Sequence, residues 1–171
     1  MESIWTQTAD MPEFSPLDGD LKTSVLIVGG GLAGLLCAYW LAQAGVDYAL
    51  VEADRICGGV TGSTTAKLTF QHGLVYARLL REFGLERARL YLEANRAALR
   101  EYRKLCQDID CDFEERDTCV YALADRRKLD RELEALERLG FQAEWSRTPA
   151  LPIPTAGAVK FPKQAQFHPL K

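Results

Sequence analysis

Three glycines with the spacing G-x-G-x-x-G form the chemically most informative motif of this sequence. Gly29, Gly31 and Gly34 follow an apolar, β-branched run and open a segment rich in alanine and leucine. The first glycine permits a tight exit from a strand, the second lets a phosphate approach the backbone, and the third lets a helix pack closely on the sheet. The N–H groups at Gly31, Leu32 and Ala33 would then face a phosphate, whose charge the helix dipole favours.

An acidic residue stands where the ribose of a bound dinucleotide is recognised. Glu52 ends a second apolar run, Tyr48–Val51, and follows Gly29 by 23 positions, near the spacing of about 20 residues typical of the ribose-binding acid. Its carboxylate can accept hydrogen bonds from both ribose hydroxyls and would repel a 2′-phosphate, which disfavours NADP. The alternative is a structural βαβ unit in which Glu52 is only solvated.

The segment after Glu52 favours FAD over NAD. Residues 53–69 form a long stretch rich in glycine and hydroxyl side chains, whereas a simple NAD-linked dehydrogenase usually continues into another helix here. Hydroxyls and backbone N–H groups can bind a pyrophosphate and the polar atoms of a flavin ring. An NAD-linked dehydrogenase stays open as the less favoured alternative.

Together these motifs resemble the D-amino-acid oxidase-like (DAO) family of FAD-dependent oxidoreductases. The similarity lies in Val-Leu-Ile-Val-Gly-Gly-Gly at the first strand, Glu-Ala-Asp-Arg-Ile from Glu52, the run from Thr64 to Gly73, and the final stretch from Phe161 to Leu170. It points to a bacterial subgroup that includes members resembling γ-glutamylputrescine oxidase and members fused to a C-terminal Rieske iron–sulfur domain. The resemblance covers the N-terminal portion of such proteins.

This resemblance implies FAD as cofactor and oxidation of an amine or amino-acid C–N bond, with hydride transfer to flavin N5. It places the pyrophosphate at the glycine turn, the AMP ribose at Glu52, and Gly59–Lys67 beside the pyrophosphate and the flavin ring. The expected cofactor contacts are Gly29, Gly31, Leu32, Ala33, Gly34, Glu52, Ala53, Gly59, Thr64, Thr65, Ala66 and Lys67. Lys67 either brings a cation near the flavin or is a surface lysine. No catalytic residue is assigned, because flavin amine oxidation often needs no dedicated base.

The elements that position these residues predict an α/β fold. A strand over 24–28, a helix over 32–44 and a strand over 46–52 form a Rossmann-like βαβ unit that could bind FAD or NAD(P). An extended, proline-containing arm over 1–20 precedes it. The expected domains are an arm (1–23), an FAD-binding part (24–110) and the start of a substrate domain (111–171).

Further elements are predicted after the βαβ unit as inserted helices and the first strands of the substrate domain. Residues 74–107 read as helical with a break at Gly84, and 118–123 as a strand. A helix capped by Asp125 follows, and then a short strand, Ala158–Phe161, which Pro162 should limit. The substrate domain is expected to be incomplete, so an inactive, truncated dinucleotide-binding module is the alternative function.

Composition excludes several other classes. The 171 residues carry 21 Lys and Arg against 24 Asp and Glu, a formal charge of −3, which gives no basic excess for nucleic acid. No apolar run is long enough to cross a membrane, and no secretory signal is recognisable, so a cytoplasmic location is the default. Five cysteines without Cys-x-x-Cys spacing and two histidines predict no metal site. The expected partners are a small-molecule amine or amino acid and a Rieske domain or other electron acceptor outside the chain.

Overall fold

The computed structural model describes residues 3–147 and 152–171, which divide into two compact units. The first unit contains the residues up to Ala66 together with His168–Lys171, and the second contains Lys67–Phe167. The functional domains expected at 24–110 and 111–171 remain predictions. In the described residues, no helix is both long enough and apolar enough to span a bilayer.

The first unit is built around a parallel βαβ arrangement. Its elements in chain order are α1 (Ile4–Gln7), β1 (Val25–Val28), α2 (Leu32–Gln43), β2 (Tyr48–Val51) and a 3₁₀ helix (Val60–Ser63). β1 and β2 run parallel, with Val25 opposite Tyr48 and Val28 opposite Val51. The predicted α/β class and Rossmann-like unit are confirmed.

The second unit is an antiparallel sheet with two helices. Its elements in chain order are β3 (Lys67–Leu68), α3 (Tyr76–Leu105), β4 (Glu114–Ala122), α4 (Arg127–Arg138), β5 (Glu144–Ser146) and β6 (Gly157–Gln166). β6 pairs with each of the other three strands. The predicted break in α3 is confirmed at Gly84, where φ is +76°. The core lies between the helices and the sheet, with Tyr76, Leu129, Leu136 and Phe161 fully buried.

The prediction that residues 1–20 are extended is wrong over α1. Ser3 caps this helix, since its side-chain oxygen accepts a hydrogen bond from the N–H of Thr6. Trp5 Nε1 donates to the carbonyl oxygen of Thr64 at 2.8 Å, and Ser3 Oγ donates to the carbonyl of Gly62. These contacts to the loop beyond β2 are tertiary, so local composition did not reveal them.

The prediction that Pro162 limits the last strand is also wrong, because β6 continues through it. The register between β4 and β6 shifts there: Arg116 faces Gln164, whereas Thr118 faces Phe161. Three steps along β6 therefore oppose two along β4, which is a β-bulge. At a bulge the N–H that proline lacks is not needed for the ladder.

A buried carboxylate ties α4 to the start of α3. Glu132 is fully buried; its Oε1 accepts from the N–H of Tyr76 at 2.8 Å and its Oε2 from that of Ala77 at 2.9 Å. The first N–H groups of a helix have no partner within the helix, so Glu132 supplies one from outside. Burial raises the pKa of Glu132, although these N–H donors act in the opposite direction.

We expect Gly34→Ala to destabilise the first unit by about 1–3 kcal/mol, because overpacking of a close contact forces the backbone to shift. A Cβ at Gly34 would overlap the carbonyl oxygen of Gly29. Gly31→Ala is the matched control: its Cβ would meet nothing nearer than Thr61 Oγ1 at 3.5 Å, and its φ of −78° suits alanine. Urea unfolding and hydrogen exchange of the α2 amides measure the difference. Equal midpoints for the two variants would contradict the packing argument.

We expect Glu132→Gln to lower the free energy of unfolding by about 1–3 kcal/mol, because its amide group would face a backbone donor. Glu134→Gln, at an exposed position of the same helix, is the control. The pKa of Glu132 is raised in the folded state, so its contribution to stability is greatest below the ordinary glutamate pKa and falls as the pH rises through the folded pKa. Urea midpoints across pH test this. If the Glu132→Gln variant kept the same pH dependence, Glu132 would not be its cause.

Candidate functional site

The glycine turn is held by backbone hydrogen bonds on both sides. The N–H of Gly29 donates to the carbonyl of Val51 at 2.8 Å, and the carbonyl of Gly30 accepts from the N–H of Cys57 at 3.0 Å. Gly29 has a φ of +107°, and a Cβ built on it would meet no atom within 4 Å. The turn is therefore fixed in position while the space beside its first glycine stays open.

The start of α2 presents unpaired backbone donors. Gly31 is the N-cap residue and contributes no side-chain hydrogen bond. Within the part of the chain that the structure describes, the N–H groups of Gly31 and Ala33 have no hydrogen-bond acceptor. Such donors at a helix N-terminus are suited to a phosphate oxygen.

The third predicted donor at this helix start is already paired. The N–H of Leu32 donates to Thr61 Oγ1 at 3.0 Å. Because a hydroxyl that accepts a hydrogen bond keeps its own proton to donate, the Thr61 hydroxyl can also donate a hydrogen bond to an anion. Thr61 lies in the segment Gly59–Lys67 that was predicted to run beside the pyrophosphate, but it was not named as a contact. Its membership of the hydroxyl-rich loop was the only sequence signal, and the loop geometry was needed to single it out.

Glu52 is fixed at the end of β2 by three backbone donors. Its Oε2 accepts from the N–H of Gly30 at 2.7 Å, and its Oε1 accepts from Ala53 at 2.7 Å and Asp54 at 3.2 Å. These hydrogen bonds, the one from Gly30 above all, hold the pKa of Glu52 below its usual range. The side chain is therefore an ionised, exposed and oriented acceptor. The N–H of Ala53 is used to orient Glu52.

The loop that follows carries the remaining predicted contacts of the first unit. Gly59 precedes the 3₁₀ helix and Thr64 follows it. Thr64 Oγ1 accepts from the N–H of Ala66 at 3.3 Å, and Ala66 is buried with a φ of +55°. Thr65 is exposed. Thr64 and Ala66 thus stabilise the loop, while Thr65 leaves its hydroxyl accessible.

Lys67 differs from the other predicted contacts because it belongs to the second unit. It is the exposed first residue of β3, and its backbone partner is Gln166 on β6. All the other predicted contacts lie in the first unit. The role of Lys67 toward a cofactor therefore remains a prediction.

Cys57 lies beside the turn but is not set up as a nucleophile. Its thiol is buried, and burial, followed by the Glu52 charge, raises its pKa. A thiol is reactive as the thiolate, which these surroundings disfavour. Across residues 3–147 and 152–171 no group of three or more potential metal-ligating side chains is found.

These groups fit the ADP portion of a dinucleotide. Open donors at Gly31 and Ala33 match the oxygens of a pyrophosphate, and the space beside Gly29 admits it. Glu52 can accept from hydroxyls and cannot donate while ionised. The arrangement therefore suits a ligand that combines an anionic group with neighbouring hydroxyls.

Comparison with known proteins gives matches over most of this chain. The family described as "FAD dependent oxidoreductase" (DAO) matches residues 24–171. A Bacillus subtilis (strain 168) protein named for a Rieske 2Fe-2S iron–sulfur centre is 36% identical over 99% of this chain and 34% of its own length. γ-Glutamylputrescine oxidoreductase of Escherichia coli (strain K12) is 32% identical over 58% of this chain and 24% of its own length.

Among solved structures, the fold is similar to that of L-proline dehydrogenase from P. horikoshii. The TM-score is 0.68 at 17% identity, over 86% of this chain and 38% of that one. The chain thus spans about a third of the length of the first of these relatives and a quarter of that of the second. With the family match extending from residue 24 to residue 171, the chain belongs to the DAO family of FAD-dependent oxidoreductases.

Proposed function

We propose that this chain is the FAD-binding part of an oxidoreductase that oxidises a C–N bond of an amine or amino acid. One observation carries the cofactor assignment. The open N–H donors of Gly31 and Ala33 at the start of α2 directly follow Gly30, whose own N–H donates to Glu52. Bound FAD would supply the acceptor for the hydride that leaves the substrate carbon.

In the first unit, hydrogen-bond donors would bind the pyrophosphate of FAD, and the Glu52 carboxylate would bind its ribose. The N–H groups of Gly31 and Ala33 donate to the pyrophosphate, and the hydroxyl of Thr61 adds a third donor while it stays anchored on Leu32. Glu52 accepts hydrogen bonds from the ribose hydroxyls. Because the donors at the helix start are backbone groups, they keep their positions as the ligand enters.

The segment from Gly59 to Lys67 would continue along the pyrophosphate toward the flavin ring. The hydroxyl of Thr65 is exposed and available for this contact. Trp5 on α1 holds the carbonyl of Thr64, which supports a fixed loop. Lys67 would place a cation beside the flavin.

The names of relatives support the substrate class and the electron acceptor. One relative is an oxidoreductase of γ-glutamylputrescine, an amine, and a structural neighbour is a dehydrogenase of the amino acid L-proline. The relative that covers nearly the whole chain is named for a Rieske centre. We infer a C–N substrate, and a Rieske domain or a similar acceptor as electron partner in the whole protein.

The test of this function uses the longest natural protein that contains this chain. We expect it to bind FAD, detected as flavin absorbance that co-elutes with the protein, and to bind NAD⁺ and NADP⁺ much more weakly. Anaerobic mixing with amines and amino acids should then bleach the flavin. Absence of FAD binding would contradict the cofactor assignment. FAD binding without bleaching by any C–N substrate would contradict the proposed reaction and favour a non-catalytic module.

Glu52→Gln should weaken FAD binding roughly tenfold, because the neutral amide removes the charge that strengthens the hydrogen bonds from the ribose hydroxyls. Asp54→Asn is the matched control, two residues further along the same exposed loop. The pKa of Glu52 is lowered from its ordinary 4.5, so its contribution is present above that pH and is lost as the pH falls through the folded pKa. Calorimetric titration with FAD measures both effects. Equal affinities for the two variants would contradict the ribose assignment.

A further inference from the structure

The second unit contains a cavity lined by basic side chains. Its volume is about 210 Å³, and it is partly open to solvent. Four of its eight lining residues are cationic, and none is acidic. The cationic residues are Arg96, Arg100, Arg103 and Lys163. A cavity of this size and charge admits a small anion.

Helical spacing and the β6 bulge bring these cations together. Arg96, Arg100 and Arg103 stand at positions i, i+4 and i+7 of α3, and so share one face. Lys163 follows Pro162 at the bulge with a φ of +54°, and its N–H donates to Asp117 Oδ1 at 3.0 Å. The unusual backbone at Lys163 thus has its own support, independent of any ligand.

The positive charge of the cavity is only partly compensated. Arg103 Nη2 lies 3.0 Å from Glu115 Oε2. In the described ranges 3–147 and 152–171, neither Arg96 nor Arg100 forms an ion pair. The guanidinium carbon of Arg96 lies 5.6 Å from the ring centre of Phe141, a cation–π contact that leaves its N–H groups free.

A buried donor in this cluster has no acceptor. Among the described residues, Arg103 Nε is buried and makes no hydrogen bond. Its neighbour Nη2 is held by Glu115, whose side chain is half exposed, and by the carbonyl oxygen of Lys163, so Nε gains an acceptor only when the guanidinium shifts. Buried donors without partners are rare in folded proteins and call for an explanation.

We propose that this cavity binds a phosphate group, either as free phosphate or as part of a small organic phosphate. Oxygens of the ligand would accept from Arg103 Nε and from the guanidinium groups of Arg96 and Arg100, the planar forks that recognise oxyanions best. The ammonium of Lys163 would add charge from the β6 side. The site lies entirely within the second unit and does not depend on the proposed FAD site.

A helix face rich in arginine is usually solvated, and the structure separates two groups among the arginines of α3. Arg87 and Arg89 are exposed and do not line the cavity. Arg100 is also exposed but lines it, and no hydrogen bond or ion pair is found for its side chain in the described residues. Arg89→Gln and Arg100→Gln therefore remove the same charge from the same helix, but only Arg100→Gln removes a residue that lines the cavity.

The experiment titrates the ¹⁵N-labelled full chain with inorganic phosphate, and separately with phenyl phosphate, at constant ionic strength. We expect saturable shifts that include the Arg103 Nε–H resonance. Affinity should fall about tenfold in the Arg100→Gln protein, as for a lost charged hydrogen bond, and stay unchanged in the Arg89→Gln protein. Backbone spectra of both variants report on folding.

The outcomes separate the alternatives. Tighter binding of phenyl phosphate supports an organic phosphate as ligand, and equal or weaker binding supports free phosphate. Shifts that do not saturate, or an equal effect of the two substitutions, would overturn the proposal. An Arg103 Nε–H that exchanges with solvent unchanged by phosphate would show that water alone satisfies this donor, which also overturns it.

Discussion

The close approach of α2 to the end of β1 is the constraint on which the first unit depends. At Gly34 the helix lies so near the carbonyl of Gly29 that no side chain fits between them. This contact directs the start of α2 at the turn. The first N–H groups of the helix lie outside any intrahelical bond, so the same packing that builds the βαβ unit positions the donors of the proposed pyrophosphate site.

Glu52 shows how closely fold and binding share groups in this unit. By accepting from the N–H of Gly30 it stabilises the turn, and by remaining ionised it keeps acceptors for the hydroxyls of the proposed ligand. Thr61 can also act in two ways, because its hydroxyl accepts from the N–H of Leu32 and retains a proton to donate. Side chains that already hold the backbone need little rearrangement to hold a ligand, which keeps the cost of binding low.

Local sequence predicts the parts of this chain that are fixed by local physics. The glycine turn, the acid at Glu52 and the break at Gly84 follow from spacing and from backbone conformations that favour glycine. Helix α1 was missed because its anchors, such as Trp5 on Thr64, connect segments that are distant in sequence. The path of β6 through Pro162 was missed for a similar reason, since a bulge depends on the register with β4. The hydrogen bond between Thr61 and Leu32 could likewise be recognised only from the structure of the loop.

The two proposed anion-binding arrangements differ in what a sequence can reveal of them. At the start of α2 the donors are backbone N–H groups, so their signature is the absence of side chains at Gly29, Gly31 and Gly34. On α3 the donors are guanidinium groups, which occur on both the cavity face and the solvent face of one helix. Glycine spacing therefore predicts a phosphate site before the fold is known. Arginine spacing identifies only a helix face, and the proposal of a binding site there rests on the packing of β6 and on the Nε of Arg103, which has no acceptor among the described residues.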